Sequence, residues 1–122
     1  MDRIILDTSF IISCINKKID FLAELGELLP GYEVVVPEEV LRELERVGED
    51  KKAKFKDRET AKLGIKLLSK VKKIKLGKKY VDAGIVEHVR EHNEDYVATI
   101  DKELKKQLKR VIIIRRRRVG LG

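Results

Sequence analysis

The sequence has one cysteine, no tryptophan and only two prolines. A lone Cys14 excludes an intrachain disulfide and any zinc site built on cysteines. Set among Ile11, Ile12 and Ile15, it reads as a small buried hydrophobe. No apolar run approaches the ~20 residues that span a bilayer. Met1-Asp2-Arg3-Ile4 opens without the apolar stretch of a signal peptide. These absences predict a soluble, cytoplasmic protein with no membrane partner. Amides are scarce too: Gln107 is the only glutamine, and Asn16 and Asn93 are the only asparagines. Few amides beside abundant Lys, Arg and Glu is a pattern of heat-adapted proteins, so a thermophilic source is expected. The two histidines, His88 and His92, stand four apart, a spacing that can bind zinc. Val89 occupies the place where a His-Glu-x-x-His motif carries its glutamate, so both read as exposed helix residues.

What is present is charge, at 40% of 122 residues and a net +7. Its distribution is uneven. Residues 51–79 hold thirteen Lys and Arg against two acids, and residues 102–118 hold nine against one. The remainder holds six against eighteen. Basic segments attract phosphate backbones. Concentrated carboxylates repel them unless cations intervene, so the pairing suggests metal ions between protein and polyanion.

Along the chain, Ile4-Ile5-Leu6 reads as a strand and residues 9–15 as a helix. Residues 19–29 repeat apolar groups at helical spacing up to Pro30-Gly31. Glu33 to Val36 reads as a strand, and Pro37 as the first-turn proline of a helix that Gly48 ends. Residues 49–58 read as a loop, and 59–70 as a helix with Leu63, Leu67 and Leu68 inward. Val71 to Leu76 reads as an edge strand protected by lysines. A helix over 80–92, a strand over 96–99, a helix from Asp101 to about Leu108 and a strand over 111–114 complete the chain. Strands alternating with helices predict an α/β fold with a parallel sheet covered on both faces, in a single domain over 1–122. Asp7 and Asp101 then fall just past the carboxyl ends of two strands, where open α/β sheets bind ligands.

Taken singly, the acids have plain explanations. Asp7 and Asp101 suit helix caps. Asp82, Glu38 and Glu39 suit first turns, where the macrodipole favours negative charge. Glu43 is harder to dismiss, because it lies mid-helix between the apolar positions Val40 and Val47. Brought together, Asp7, Glu43, Asp82 and Asp101 would need cations, and Mg²⁺ or Mn²⁺ prefer such oxygens. Beside basic flanks, that chemistry suggests phosphodiester hydrolysis.

Four segments carry a family resemblance. Ile4-Ile5-Leu6-Asp7-Thr8-Ser9 resembles the opening of PIN domains, a strand leading to Asp-x-Ser/Asn. Val36-Pro37-Glu38-Glu39-Val40-Leu41-Arg42-Glu43-Leu44 resembles their second motif, with its Glu-Leu pair. Tyr80-Val81-Asp82-Ala83-Gly84-Ile85 resembles the third, and Val97-Ala98-Thr99-Ile100-Asp101-Lys102-Glu103-Leu104 the fourth. Each is weak alone; four in order are fairly specific.

The resemblance implies a three-layer sandwich around a five-stranded parallel sheet ordered 3-2-1-4-5. It implies a Mg²⁺- or Mn²⁺-dependent endoribonuclease acting on single-stranded RNA. Asp7, Glu43, Asp82 and Asp101 would be the catalytic metal-site acids, Ser9 and Thr99 supporting hydroxyls, and Glu103 a secondary acid. It also implies a homodimer. The basic stretch Lys51, Lys52, Lys54 and Lys56 and the ending Arg115, Arg116, Arg117 and Arg118 read as RNA contacts, the arginines following the last strand being equally open to reading as a frayed, solvated tail. They lean toward ribosome-biogenesis members, acting on ribosomal precursor RNA, rather than VapC-type toxins. Phe55 reads as an anchor of its loop to the core. The rival from another class is a non-catalytic RNA-binding or ribosome-assembly module on the same fold. Receiver domains, haloacid-dehalogenase phosphatases and dinucleotide-binding domains are excluded, because their motifs are missing.

Overall fold

The computed structural model describes residues 2–122. Strand β1 (Arg3–Leu6) leads to helices α1 (Thr8–Asn16) and α2 (Phe21–Leu28). Then come β2 (Glu33–Pro37), α3 (Glu38–Glu49), α4 (Phe55–Leu67), β3 (Lys72–Ile74), α5 (Val81–Glu91), β4 (Tyr96–Ala98), α6 (Lys102–Lys105), β5 (Val111–Arg115) and β6 (Arg118–Leu121). The sheet runs β3-β2-β1-β4-β5-β6. Its first five strands are parallel in the expected order, and β6 is an additional antiparallel edge.

Alternation along β1 assigns the two faces of the sheet. Ile4 and Leu6 pack with Phe10, Leu25, Val40, Leu44 and Ala61, under α1 to α4. Ile5 packs on the other side with Val35, Val97, Ile85 and Leu104, under α5 and α6. Fully buried strands need such continuous apolar runs because neither face meets water. Cys14 lies in the first layer, and burial, with Glu24 nearby, pushes its thiol up to about 12. No helix among the described residues is long and apolar enough to cross a membrane.

Several local expectations are corrected. Helix α4 begins at Phe55, inside the expected loop, and Leu63 and Leu67 face outward. The inward positions are Thr60, Ala61, Gly64 and Leu68. A Cβ on Gly64 would lie 3.3 Å from Ile15 Cδ1 and 3.4 Å from Ile11 Cγ2, so close approach of helices selects small residues over leucines here. Phe55 is 70% exposed and anchors nothing; the Arg58 guanidinium lies over its ring. Pro37 ends β2 and stands as the N-cap of α3. Helix α6 stops at Lys105, short of Leu108. His88 is not an exposed residue: its Nε2 lies 3.0 Å from Oδ2 of the buried Asp95, whose Oδ1 accepts the Arg3 N–H.

The arginine run is the largest correction. It forms the tip of a β5–β6 hairpin in which Arg115 pairs with Arg118. Glu24 on α2 fixes the returning strand by accepting the Val119 N–H at 2.8 Å. Arg116 sits in the turn at φ 57, a conformation that costs an L-residue roughly 1–2 kcal/mol. Arg116→Gly is therefore expected to stabilise the fold by about 0.5–1 kcal/mol, read as a higher urea midpoint; an unchanged or lower midpoint would contradict the strain.

Candidate active site

From β1 the chain builds outward to β2 and β3, then returns to β4 on the other side of β1. The crevice at the carboxyl ends of β1 and β4 is thus the switch point of the sheet. Asp7 follows β1 there, its N–H donating to Ala98 O at 3.0 Å. Thr99 and Asp101 follow β4.

Asp7 is buried and occupies the N-cap position of α1, yet its carboxylate makes no cap hydrogen bond. Its Oδ2 accepts the hydroxyls of Ser9 at 2.8 Å and Thr99 at 2.7 Å. The plain capping explanation fails for this residue. Ser9 Oγ and Thr99 Oγ1 are 3.3 Å apart and accept the N–H groups of Ile100 and Asp101, so one small network ties both strand ends to one carboxylate. Asp101 does cap α6, its Oδ1 accepting from Glu103 and Leu104. Among the described residues neither Asp7 Oδ1 nor Asp101 Oδ2 takes a hydrogen bond.

Helix α3 brings Glu43 to the same crevice, where its Oε1 accepts the Thr8 hydroxyl at 3.2 Å. Thr8 was not singled out from the sequence, although it adjoins Asp7. Helix α5 brings Asp82 in its first turn. The charges feel one another. Burial raises the Glu43 pKa, the negative charges of Asp7 and Asp82 raise it further, and Thr8 and Arg46 partly offset this. Burial likewise raises Asp82, with Asp7 and Asp101 adding to it. All four acids therefore share one field, although sequence separates them by up to 94 positions.

That donor set is hard carboxylate oxygen throughout, which suits Mg²⁺ or Mn²⁺. As the side chains stand, no three Asp, Glu, His or Cys groups among the described residues are gathered closely enough to grip one ion. The set fits such a cation by chemistry and charge.

Glu39, explained from sequence by the helix dipole, has a larger part. It is buried and accepts the N–H groups of Leu76 at 3.2 Å and Gly77 at 3.0 Å. Burial opposes its ionisation, but its own N–H, those two N–H groups and Arg42 prevail, so its pKa lies below the usual 4.5. Glu39 thereby moors the loop leading to Asp82 onto the helix that carries Glu43. Glu39→Ala is expected to cost about 1–3 kcal/mol, because buried donors lose their acceptor. A lowered folded pKa makes the Glu39 contribution full above pH 4.5 and lost as pH falls through the folded value. The wild-type advantage over Glu39→Gln should accordingly shrink in urea titrations as pH drops below about 4.5. A pH-independent gap would contradict this.

The other nominated residues scatter. Glu103 is exposed on α6, paired with Lys106 at 3.3 Å. Strand β5 runs three residues past the level of Ala98, so Arg115 to Arg118 project on the crevice side of the sheet. Lys51, Lys52 and Lys54 follow the far end of α3, with Lys56 in the first turn of α4, away from the acids.

A family model described as PIN like domain matches residues 4–118. The chain belongs to the PIN-like family. Ribonuclease VapC4 of Methanocaldococcus jannaschii is 31% identical over 109 residues, which cover 88% of this chain and 83% of that protein. The fold is shared with the PIN domain endonuclease Utp24 at a TM-score of 0.81 and 23% identity, over 98% of this chain and 90% of that one. It is shared more loosely with the structure of VapBC2 from Rickettsia felis, bound to a DNA fragment from its promoter. There the TM-score is 0.57 at 18% identity, covering 92% and 98% of the two chains. The family match and the 31% identity place this PIN-like domain in a family in which Ribonuclease VapC4 is represented.

Proposed function

We propose that this PIN-like domain is a divalent-cation-dependent endoribonuclease that hydrolyses single-stranded RNA. The observation that carries the reading is the shared field of Asp7, Glu43, Asp82 and Asp101 at the switch point. Mg²⁺ or Mn²⁺, when held by these carboxylates, supplies positive charge against the phosphodiester and its attacking water. The residues of the chain do the rest. Ser9 and Thr99 orient Asp7 through its Oδ2 and leave Oδ1 without a hydrogen bond. Thr8 holds Glu43, and α6 holds Asp101 by its N-terminal N–H groups. A carboxylate of this set takes the proton from the attacking water. Glu103, exposed at the rim, is a further acid available to a bound strand. Arg115 to Arg118 grip phosphates on the crevice side, and Lys51, Lys52, Lys54 and Lys56 offer contacts to a longer RNA that reaches around the domain.

The likeness of the arginine-rich ending to ribosome-biogenesis PIN proteins supports ribosomal precursor RNA as substrate, and the cytoplasm is the proposed place of action. A homodimer is the proposed assembly, to be read by light scattering. The 31% identity to Ribonuclease VapC4 favours a second reading, a VapC-type toxin ribonuclease. The test is Mn²⁺-supported cleavage of labelled single-stranded RNA, its loss on adding EDTA, and the comparison of precursor ribosomal RNA with tRNA. Preference for the precursor supports the first reading, and no preference for it the second. Binding of RNA without cleavage of any of them would instead indicate a non-catalytic module.

A further inference from the structure

Beside the acids lies a groove of about 530 Å³ whose walls come from two elements. Helix α3 contributes Arg42 and Arg46 next to Glu43. The segment before α5 contributes Lys78, Lys79 and Tyr80 next to Asp82. Each wall thus sets cations beside acids, Glu39 and Glu43 on α3 and Asp82 on α5. The cations do not close the groove by pairing across it with the two site acids. Arg42 leans on Glu39 at 3.8 Å, and Lys78 pairs outward with Glu87 at 2.9 Å.

Tyr80 is the unusual member. Aromatics are 5% of the chain, and this ring is 68% exposed. Its backbone is nevertheless fixed: it is the N-cap of α5, and its carbonyl accepts the Gly84 N–H at 3.1 Å. The loop before it is moored by Glu39 at Leu76 and Gly77, where Gly77 adopts φ +75. A Cβ on Gly84 would come within 2.9 Å of Leu76 Cβ, so loop and helix are closely packed. An exposed ring on a braced backbone contributes little to folding. It is pre-organised for a flat partner, and ordering it on binding costs little. Lys79 Nζ lies over the ring at 5.6 Å from its centroid, a cation–π contact that puts a phosphate-binding cation at the ring itself. Alternating cations and an aromatic face is the pattern that holds unpaired nucleotides, because every base has a π-face and every linkage a charge.

We propose that this groove is the entry site for single-stranded RNA, with the base of a nucleotide next to the scissile linkage stacked on Tyr80. The phosphates of that strand lie against Arg42 and Arg46 on one wall and Lys79 on the other. The site discriminates against duplex, whose bases are already stacked and unavailable. This inference rests on the ribonuclease reading above.

The test uses the full chain carrying Asp101→Asn, so that RNA survives. The chain lacks tryptophan, so Tyr80→Trp in that background supplies a single reporter. Its fluorescence is expected to quench on adding an unstructured RNA oligonucleotide, and not on adding the corresponding duplex. By anisotropy with the same labelled RNA, Tyr80→Ala is expected to weaken binding about 5- to 30-fold, and Tyr80→Phe less than about twofold. Arg46→Ala and Lys79→Ala are each expected to flatten the salt dependence by roughly 0.7 per lost contact. RNA cleavage by the wild type with unchanged binding by Tyr80→Ala and no quenching would overturn the inference and leave the ribonuclease reading standing. Quenching by poly(aspartate) equal to that by RNA would overturn it in favour of an acidic protein partner. Absence of both RNA cleavage and RNA binding would remove the reading and the inference together.

Discussion

Asp101→Asn is expected to lower the rate of RNA cleavage by about 100- to 1,000-fold while leaving the fold intact, on the scale of losing one electrostatic group at a reacting centre. The two effects separate because Asp101 has two tasks on two oxygens. Its Oδ1 caps α6 through Glu103 and Leu104, and an asparagine carbonyl caps about as well. Its charge is felt by Asp82 across the crevice, and asparagine abolishes it. The check is single-turnover cleavage of labelled RNA beside a thermal melt of the same preparation. Equal cleavage by variant and wild type would remove Asp101 from the site. Lost cleavage with a collapsed melt would show that the cap had failed, in which case the loss would say nothing about chemistry.

Glu43→Gln is expected to lose RNA cleavage as well, but to gain stability instead of merely keeping it. Glu43 is half-buried, near Asp7 and Asp82, and all three circumstances disfavour its charge. Glutamine keeps an oxygen for the Thr8 hydroxyl and removes the repulsion. Calorimetry without divalent ions should show a higher Tm for the variant. The wild type should recover by another route. Mn²⁺ at about 100 times its Kd would stabilise it by ~2.7 kcal/mol, or roughly 10 °C for a chain of this size. EDTA should reverse that rise, and the variant should show a smaller one. A lower Tm for Glu43→Gln would mean that the carboxylate is stabilising where it stands, contrary to the repulsion described here. Losing function while gaining stability is the signature of an acid kept for chemistry.

The sheet was legible in the sequence because strands buried on both faces must be apolar without interruption. Ile4-Ile5-Leu6 and Val111-Ile112-Ile113-Ile114 could hardly be anything else. The strand order 3-2-1-4-5 came from the resemblance, and the structure agrees. What escaped the pattern were features whose cause lies elsewhere in the chain. The inward face of α4 is set by how closely α1 and α3 approach it, so Gly64 and Ala61 displace Leu63 and Leu67. The arginine run folds back as β6 because Glu24, 95 residues earlier, accepts the Val119 N–H. His88 is drawn inward by Asp95, which periodicity on its own helix cannot reveal.

The site divides in the same way. By itself the sequence determined which residues carry charge, that Asp7 and Asp101 end strands, and that Glu43 sits awkwardly on an apolar helix face. Local spacing decides those matters. Only the tertiary structure decided that Asp7 binds two hydroxyls instead of capping its helix, that Glu39 moors a loop, and that Tyr80 and Arg46 border one groove. Such facts depend on which surfaces meet when β1 and β4 become neighbours, and pairing of strands 92 residues apart leaves no local trace.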